Sequence, residues 1–188
     1  MRTKTTNAKK RIFETAAELF SEFGFLGISM EKIAKRLNIT KAALYYHFKS
    51  KKELYLAVLE NSCQNLFKTI NRGMAQAETS EQKLSQLIQN YLYFGLKEKN
   101  LIKSCFLKSP DIDSEITDYI VQLRRKINNQ FQNFLKEIFK QSKKNTEIKS
   151  ITLFLLGAMD KLILESALFN KKLNVKKKTS QILKIISS

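Results

Sequence analysis

The chain has 188 residues, which is enough for one or two small domains with a sizeable core. Its 34 basic and 17 acidic residues give a formal net charge of +17, which favours a polyanionic partner, nucleic acid or an anionic membrane, although a lysine-rich proteome would produce the same excess. No apolar run approaches the roughly 20 residues of a membrane span, and the basic N-terminus has no signal-peptide core, so we expect a cytoplasmic protein without a membrane partner.

One proline and five glycines, with few alternating β-branched runs, predict an all-α protein. Apolar residues at three- and four-residue steps mark a first helix from Ile12 to Phe23, and we expect Gly24 to end it. Two short helices follow, because Ser29 is placed to cap "MEKIAKRL" and Thr40 to cap "KAALYYHF".

The stretch "SKKE" predicts a capping box at the start of a longer helix that fades near Gly73. In this box Ser50 accepts from the amide of Glu53, and Glu53 reaches back to the amide of Ser50. Residues 71–80 are the best candidate for a loop, and four or five longer helices follow. A break is expected at Pro110 and a polar turn in "QSKKNTE", and the last two helices should begin near Glu147 and Val175.

Two short helices around a tight turn, preceded by a longer helix, describe a helix-turn-helix unit. Leu44 and Phe48, four residues apart, should face the core. A tyrosine on the opposite face can lay its ring on sugar edges and thymine methyls and give its hydroxyl to a phosphate oxygen. The residues expected to face outward are Lys41, Ala42, Tyr45 and Tyr46.

From Ala8 to Leu59 the sequence resembles the DNA-binding domain of TetR-type transcriptional regulators. The resemblance is carried by "AAELFSEFGFLGISMEKIAKRLNITKAALYYHFKSKKEL", a combination that is highly specific at this spacing. It implies a three-helix helix-turn-helix domain over residues 1–50 and a larger helical ligand-binding and dimerisation domain over residues 51–188. The residues expected to contact DNA are Ser29, Thr40, Lys41, Ala42, Ala43, Tyr45, Tyr46, His47, Lys49 and Lys51.

His47 is the only histidine of the chain, so it cannot join a second one in a metal site, and no partners for a Ser-His-Asp arrangement are apparent. Phosphate contact and a packed structural role both stay open for it. The sequence contains no Gly-rich phosphate loop and no HExxH motif. We therefore expect no metal, no cofactor and no enzymatic activity. An enzyme on a helical scaffold is the alternative from another functional class.

Aromatic residues are enriched in the middle helices, where they are either ordinary core or the lining of a cavity. The resemblance implies such a cavity, and an aromatic lining would suit an apolar or planar small-molecule inducer. Both cysteines, Cys63 and Cys105, are expected to be buried reduced thiols, and redox sensing by either is left open. The residues expected to line the cavity are Cys63, Phe67, Tyr91, Phe94, Phe106, Tyr119 and Leu123.

Apolar residues also recur at helical steps along the last two helices. Two such helices from each of two chains would form a four-helix bundle, which is a common dimer design, and burial within one chain is the alternative. The residues expected at a dimer interface are Ile151, Leu155, Ala158, Leu162, Ile182 and Ile186.

These features predict a homodimeric transcriptional repressor that binds a near-palindromic operator in double-stranded DNA and that a small, largely apolar ligand releases. The alternative is a DNA-binding regulator of the same fold that has no small-molecule inducer and is controlled by a protein partner.

Overall fold

A computed structural model of the chain describes residues 2–106, 113–140 and 144–187. Within these ranges the backbone forms α-helices and no strand, which confirms the all-α fold. The expected break at Pro110 and part of the expected polar turn lie outside the described residues. The helices are α1 (Arg2–Phe23), α2 (Met30–Leu37), α3 (Lys41–His47), α4 (Lys51–Ala75), α5 (Ser80–Lys97), α6 (Lys99–Phe106), α7 (Ser114–Phe139), α8 (Asn145–Phe169) and α9 (Val175–Ser187).

The described residues form two compact units. The first unit consists of Met1–Ser62 and Asn100–Ile120, and the second unit consists of Cys63–Lys99 and Val121–Ser188. Helices α4 and α7 each contribute to both units, and the domain boundary expected after residue 50 stays a prediction. None of the described helices is long and apolar enough to span a membrane.

The core of the first unit is built on the apolar stripe of α1. Ile12, Ala16 and Phe20 are buried, and α1 packs against α2, which in turn packs against α3. The Phe20 ring meets the Tyr55 ring of α4 edge-on at 5.0 Å between centroids, and Phe25 approaches the same tyrosine at 4.9 Å. Burial of each such ring contributes about 1.5–3 kcal/mol.

Glycines act differently at two helix positions. Gly24 has a φ of 71° and donates its N–H to the Phe20 carbonyl at 2.9 Å, so it ends α1 as predicted. Gly73, by contrast, lies inside α4, which continues to Ala75 and leaves only residues 76–79 as a loop. A Cβ on Gly73 would stand 2.1 Å from the amide nitrogen of Asn90 on α5. This glycine therefore permits a close helix approach.

The second unit has its core around α5, which packs against both α8 and α9. Each of the helices α5, α7, α8 and α9 turns an apolar stripe towards this core, as the sequence pattern predicts. Its fully or almost fully buried residues include Leu87, Ile88, Leu92, Phe131, Leu135, Met159 and Ile163.

Candidate nucleic-acid interface

Both short helices begin at side-chain caps. The Ser29 hydroxyl oxygen accepts a hydrogen bond from the Lys32 N–H at 3.1 Å, and the Thr40 hydroxyl oxygen accepts one from the Ala43 N–H at 3.1 Å. Each bond satisfies an amide that would otherwise be unpaired in the first turn. The predicted caps are confirmed, and they fix where α2 and α3 start.

The turn between the two helices depends on Asn38, which has a φ of 54° and ends α2. Its N–H donates to the Ala34 and Lys35 carbonyls, and the Ile39 N–H donates to the Ala34 carbonyl at 3.1 Å. Asparagine adopts this left-handed conformation more readily than most residues. The turn is therefore set by local hydrogen bonds.

Helix α3 presents the two faces that the sequence predicts. Leu44 and Phe48 are buried in the first unit, whereas Tyr46 is 80% exposed and Tyr45 is also exposed. Ala42 and Ala43 are exposed at the N-terminal part of the same helix, where small side chains allow close approach to a groove. The helix thus combines a fixed apolar side with a free side that carries tyrosine hydroxyls.

Three exposed lysines lie on α3 or near it. The Lys41 ammonium lies 6.0 Å from the Tyr45 ring centre, and the Lys9 ammonium lies 5.3 Å from the ring centre of Phe48. Lys49 is exposed directly after α3. None of these three lysines forms an ion pair with another described residue, so their charges are available to phosphates.

His47 ends α3 and is half-buried. Its ring meets the Tyr46 ring edge-on, with centroids 5.2 Å apart. The imidazole thus contacts the most exposed tyrosine of the helix, and a phosphate contact by His47 stays a prediction.

The contacts of Lys51 differ from those expected of a lysine that binds a phosphate. Its ammonium donates to the carbonyl oxygens of Phe25 and Ile28, both at 2.9 Å, and lies 4.0 Å from the Phe25 ring centre. Burial lowers the pKa of this lysine below its usual value. The geometry favours a structural role instead, in which Lys51 ties the start of α4 to the segment that leads into α2.

Lys52 is also engaged within the first unit. It forms ion pairs with Asp113, at 3.1 Å, and with Glu115 at the start of α7. Its hydrogen bonds, first to Glu115 and second to Asp113, raise the pKa of Lys52.

The capping box predicted at the start of α4 is half right. The Glu53 N–H donates to the Ser50 hydroxyl at 3.0 Å, as predicted, but the Glu53 carboxylate accepts from the Lys49 N–H and not from the Ser50 N–H.

Replacing Lys51 with Met should lower the free energy of unfolding by roughly 1–3 kcal/mol, because two charge-assisted hydrogen bonds at a partly buried site are lost. Urea denaturation followed by circular dichroism measures the change. Lys49→Met is the matched control, since Lys49 is exposed, and we expect it to stay within about 0.5 kcal/mol of the parent. Equal stability of both variants would contradict the structural role of Lys51.

The residues expected to line a ligand cavity are divided between the two units. Tyr119 lies in the first unit, where its hydroxyl donates to the Glu60 carboxylate at 3.0 Å. The side chain of Phe106 lies outside the described residues, as does that of Cys105. Cys63 is buried and is not part of a disulfide. The second unit holds Cys63, Phe67, Tyr91, Phe94 and Leu123, of which Cys63, Tyr91 and Leu123 are buried.

A buried polar cluster in the second unit was not predicted. Asp160 of α8 is 5% exposed, and its carboxylate accepts from the Tyr91 hydroxyl at 2.5 Å and from the Arg124 guanidinium at 2.8 Å. Burial, followed by the Asp160 charge, raises the pKa of Tyr91 well above its usual value. The signal in the sequence was a single acidic residue within the apolar run "LFLLGAMDKLIL".

The six expected interface residues do not share one exposed face. Leu155 and Ile182 are buried within the chain itself, so neither needs a partner subunit to cover it. Ile151, Ala158, Leu162 and Ile186 are half-buried. The apolar side chains that are most exposed on these two helices are Leu153, Phe154, Leu168, Phe169 and Ile185.

Residues 12–58 match the family model of "Bacterial regulatory proteins, tetR family". The biofilm operon icaADBC negative transcriptional regulator IcaR of Staphylococcus epidermidis is 46% identical over 59 residues, which are 31% of each chain. The transcriptional activator FasR of Mycolicibacterium smegmatis is 34% identical over 79 residues, covering 42% of this chain and 36% of that one. The chain therefore spans about a third of the length of these relatives.

Solved structures resemble the whole chain. FadR from Bacillus subtilis, crystallised with stearoyl-CoA, superimposes with a TM-score of 0.78 at 17% identity and covers 95% of this chain and 97% of its own. A transcriptional regulator from Aquifex aeolicus reaches a TM-score of 0.71 at 23% identity with the same two coverages. At these identities the likeness establishes the fold alone.

Proposed function

We propose that the chain, whose residues 12–58 match the model of the TetR family of bacterial regulatory proteins, is a homodimeric transcriptional repressor of this family that a small, largely apolar ligand releases from DNA. The observation that carries the proposal is the outward face of α3, where Tyr45, Tyr46 and Lys41 are exposed while Leu44 anchors the helix. A helix held in this way can enter the major groove, with hydroxyls and ammonium groups directed at phosphates.

Tyr46→Ala should weaken operator binding roughly 5- to 150-fold, because one base or backbone contact is worth about 1–3 kcal/mol. Fluorescence anisotropy on a footprinted operator measures the affinity. Tyr93→Ala is the matched control, since Tyr93 is an exposed tyrosine of α5 in the second unit. If both variants bind like the parent, α3 does not dock through its exposed tyrosine and the proposed function loses its main support.

The relatives support repression of transcription better than activation. IcaR, named as a negative regulator, shares 46% identity in the matched segment, whereas the activator FasR shares 34%. In our proposal the free dimer has the higher affinity for the operator. The ligand can shift this balance only by its different affinities for the DNA-binding and released conformations.

We propose an acyl-chain compound as the class of ligand. The support is FadR from Bacillus subtilis, whose structure contains stearoyl-CoA and whose fold covers 95% of this chain. A long acyl chain also fits the expected apolar lining of the second domain. In the same anisotropy assay, stearoyl-CoA should release the operator and free coenzyme A should not; release by neither compound would exclude this class.

We propose that the dimer forms through the exposed apolar face of α8. Leu153 is 72% exposed and Phe154 lies beside it on the same face. Apart from its chain neighbours and the backbone of its own helix, no atom in the described part of the chain stands within 4 Å of where a Cβ on Gly157 would be, so a second helix could approach closely there. Leu155, one of the six residues expected at the interface, is fully buried within its own chain and is not part of this face.

Leu153→Glu combined with Phe154→Glu should convert the dimer to a monomer at micromolar concentration, because two unpaired charges would enter an apolar interface. Analytical ultracentrifugation gives the oligomeric state. Val121→Glu, at an exposed apolar position of α7, is the control and should leave the dimer intact. A parent protein that sediments as a monomer, or a dimer that survives the double substitution, would contradict this interface.

A further inference from the structure

Five lysines cluster where α8 gives way to α9, a group that we term the lysine patch: Lys171, Lys172, Lys176, Lys177 and Lys178. All but Lys178 are exposed, and Lys178 is half-buried. Nothing in the DNA-binding unit explains them, because they belong to the second unit. The five lysines therefore either have a function apart from DNA binding or reflect a general excess of lysine in the chain.

Composition alone does not produce this distribution. Residues 166–188 contain six lysines and no acidic residue, whereas residues 53–165 contain 16 basic and 13 acidic residues. Residues 1–52 contain 12 basic and 4 acidic residues. A chain-wide lysine bias would spread the excess evenly, but the positive charge is concentrated in the helix-turn-helix segment and in the last two dozen residues.

The patch has few internal contacts that would use its charge. Among the described residues no ion pair involves any of the five lysines. The Lys99 ammonium adds a further charge nearby, because it donates to the Asn170 side-chain oxygen at 3.4 Å. Asn174 caps the start of α9 by accepting from the Lys177 N–H at 3.0 Å, and the positive end of that helix lies among the lysines.

Exposed apolar side chains adjoin the patch. Phe169 is 64% exposed at the end of α8, next to the exposed Leu168, and the Lys171 ammonium lies 5.6 Å from the Phe169 ring centre. Lysines that flank an exposed phenylalanine and leucine match the composition of segments that lie on anionic lipid surfaces. Recognition of individual carboxylates on a protein would favour arginine, of which residues 166–188 have none.

We propose that the lysine patch, with Leu168 and Phe169, docks the protein on the surface of an anionic lipid bilayer. The lysines lie over the headgroups, and the two apolar side chains enter the boundary with the acyl chains. The earlier expectation of no membrane partner followed from the absence of a spanning segment, which does not bear on a surface contact. Docking on such a surface requires neither the operator nor the ligand.

Vesicle co-sedimentation of the full chain tests the proposal, with phosphatidylglycerol mixed into phosphatidylcholine as the anionic surface. Replacing Lys171, Lys172 and Lys177 together with Gln should weaken binding about a hundredfold, since each lysine contributes about fivefold. Phe169→Ser should weaken it further without changing the net charge. Pure phosphatidylcholine vesicles should bind no variant, and raised salt should release the parent protein.

The matched control replaces three helix-turn-helix lysines, Lys9, Lys41 and Lys49, with Gln. This variant removes the same charge, and it should lose operator affinity while it keeps its affinity for the anionic vesicles. An equal loss of vesicle binding in the two triple variants would overturn the proposal, because net charge alone would then explain it. Patch-dependent binding to soluble polyglutamate without binding to vesicles would also overturn it, in favour of an acidic protein surface.

Discussion

Operator affinity should fall roughly a thousandfold as the salt concentration rises from about 50 to about 200 mM. Each phosphate that a lysine neutralises releases condensed counterions, and the logarithm of affinity falls with a slope of about −0.9 per contact. Lys9, Lys41 and Lys49 remain available beside α3, so a dimer has about six such contacts. Six contacts lie at the low end of the usual range and correspond to a loss of about 10³.

The count of contacts is lower than the lysine-rich sequence of the first domain suggests. Lys51 is held by two backbone carbonyls, and Lys52 is held by Asp113 and Glu115. Lys10 has Glu14 one turn away at 3.8 Å. Charges engaged within the protein release fewer counterions on binding, and the expected slope is correspondingly shallower.

The measurement is a titration of affinity against salt on a footprinted operator, which a two-fold dimer requires to be a near-palindrome. The triple substitution of Lys171, Lys172 and Lys177 is the control, because these lysines lie in the second unit, and the slope should not change. Replacing Lys9, Lys41 and Lys49 with Gln should remove most of the salt dependence of operator affinity. A flat dependence in the parent, or a protected site without two-fold symmetry, would contradict the docking of a basic dimer through α3.

The local geometry of the DNA-binding face could be predicted from the sequence because its determinants lie within four residues of each other. Ser29 caps α2 through Lys32, and Thr40 caps α3 through Ala43. The burial of Leu44 likewise follows from helical spacing. Rules of capping and periodicity apply at this range without knowledge of the tertiary structure.

The contacts that could not be predicted are those of side chains whose partners lie far away in the sequence. Lys51 reaches a carbonyl 26 residues earlier, and the Tyr91 hydroxyl reaches a carboxylate 69 residues later. A lysine near a recognition helix is equally consistent with a phosphate and with a carbonyl until the fold is known. Periodicity also identifies Leu155 as apolar and inward-facing, but not whether its own chain or a partner covers it.

Loss of the Arg124 side chain should destabilise the protein by about 2–4 kcal/mol. Arg124 pairs with Asp160, whose side chain is 7% exposed, and a buried charge that loses its partner typically costs about 3–5 kcal/mol. The lower figure reflects Arg124 itself, which is 43% exposed and whose interaction is therefore screened. For a chain of this size, such a loss lowers the melting temperature by roughly 4–16 °C.

Arg124→Met tests this expectation, with Arg125→Met as the matched control at the adjacent exposed arginine. Thermal and urea denaturation should show a lower stability for Arg124→Met and an unchanged stability for Arg125→Met. The coupling is isolated by repeating Arg124→Met in an Asp160→Asn background. The amide there can still accept from the Tyr91 hydroxyl and carries no charge, so the substitution should cost less than about 1 kcal/mol. Equal costs in the two backgrounds would mean that Arg124 stabilises the second unit through packing, and that the buried carboxylate does not depend on it.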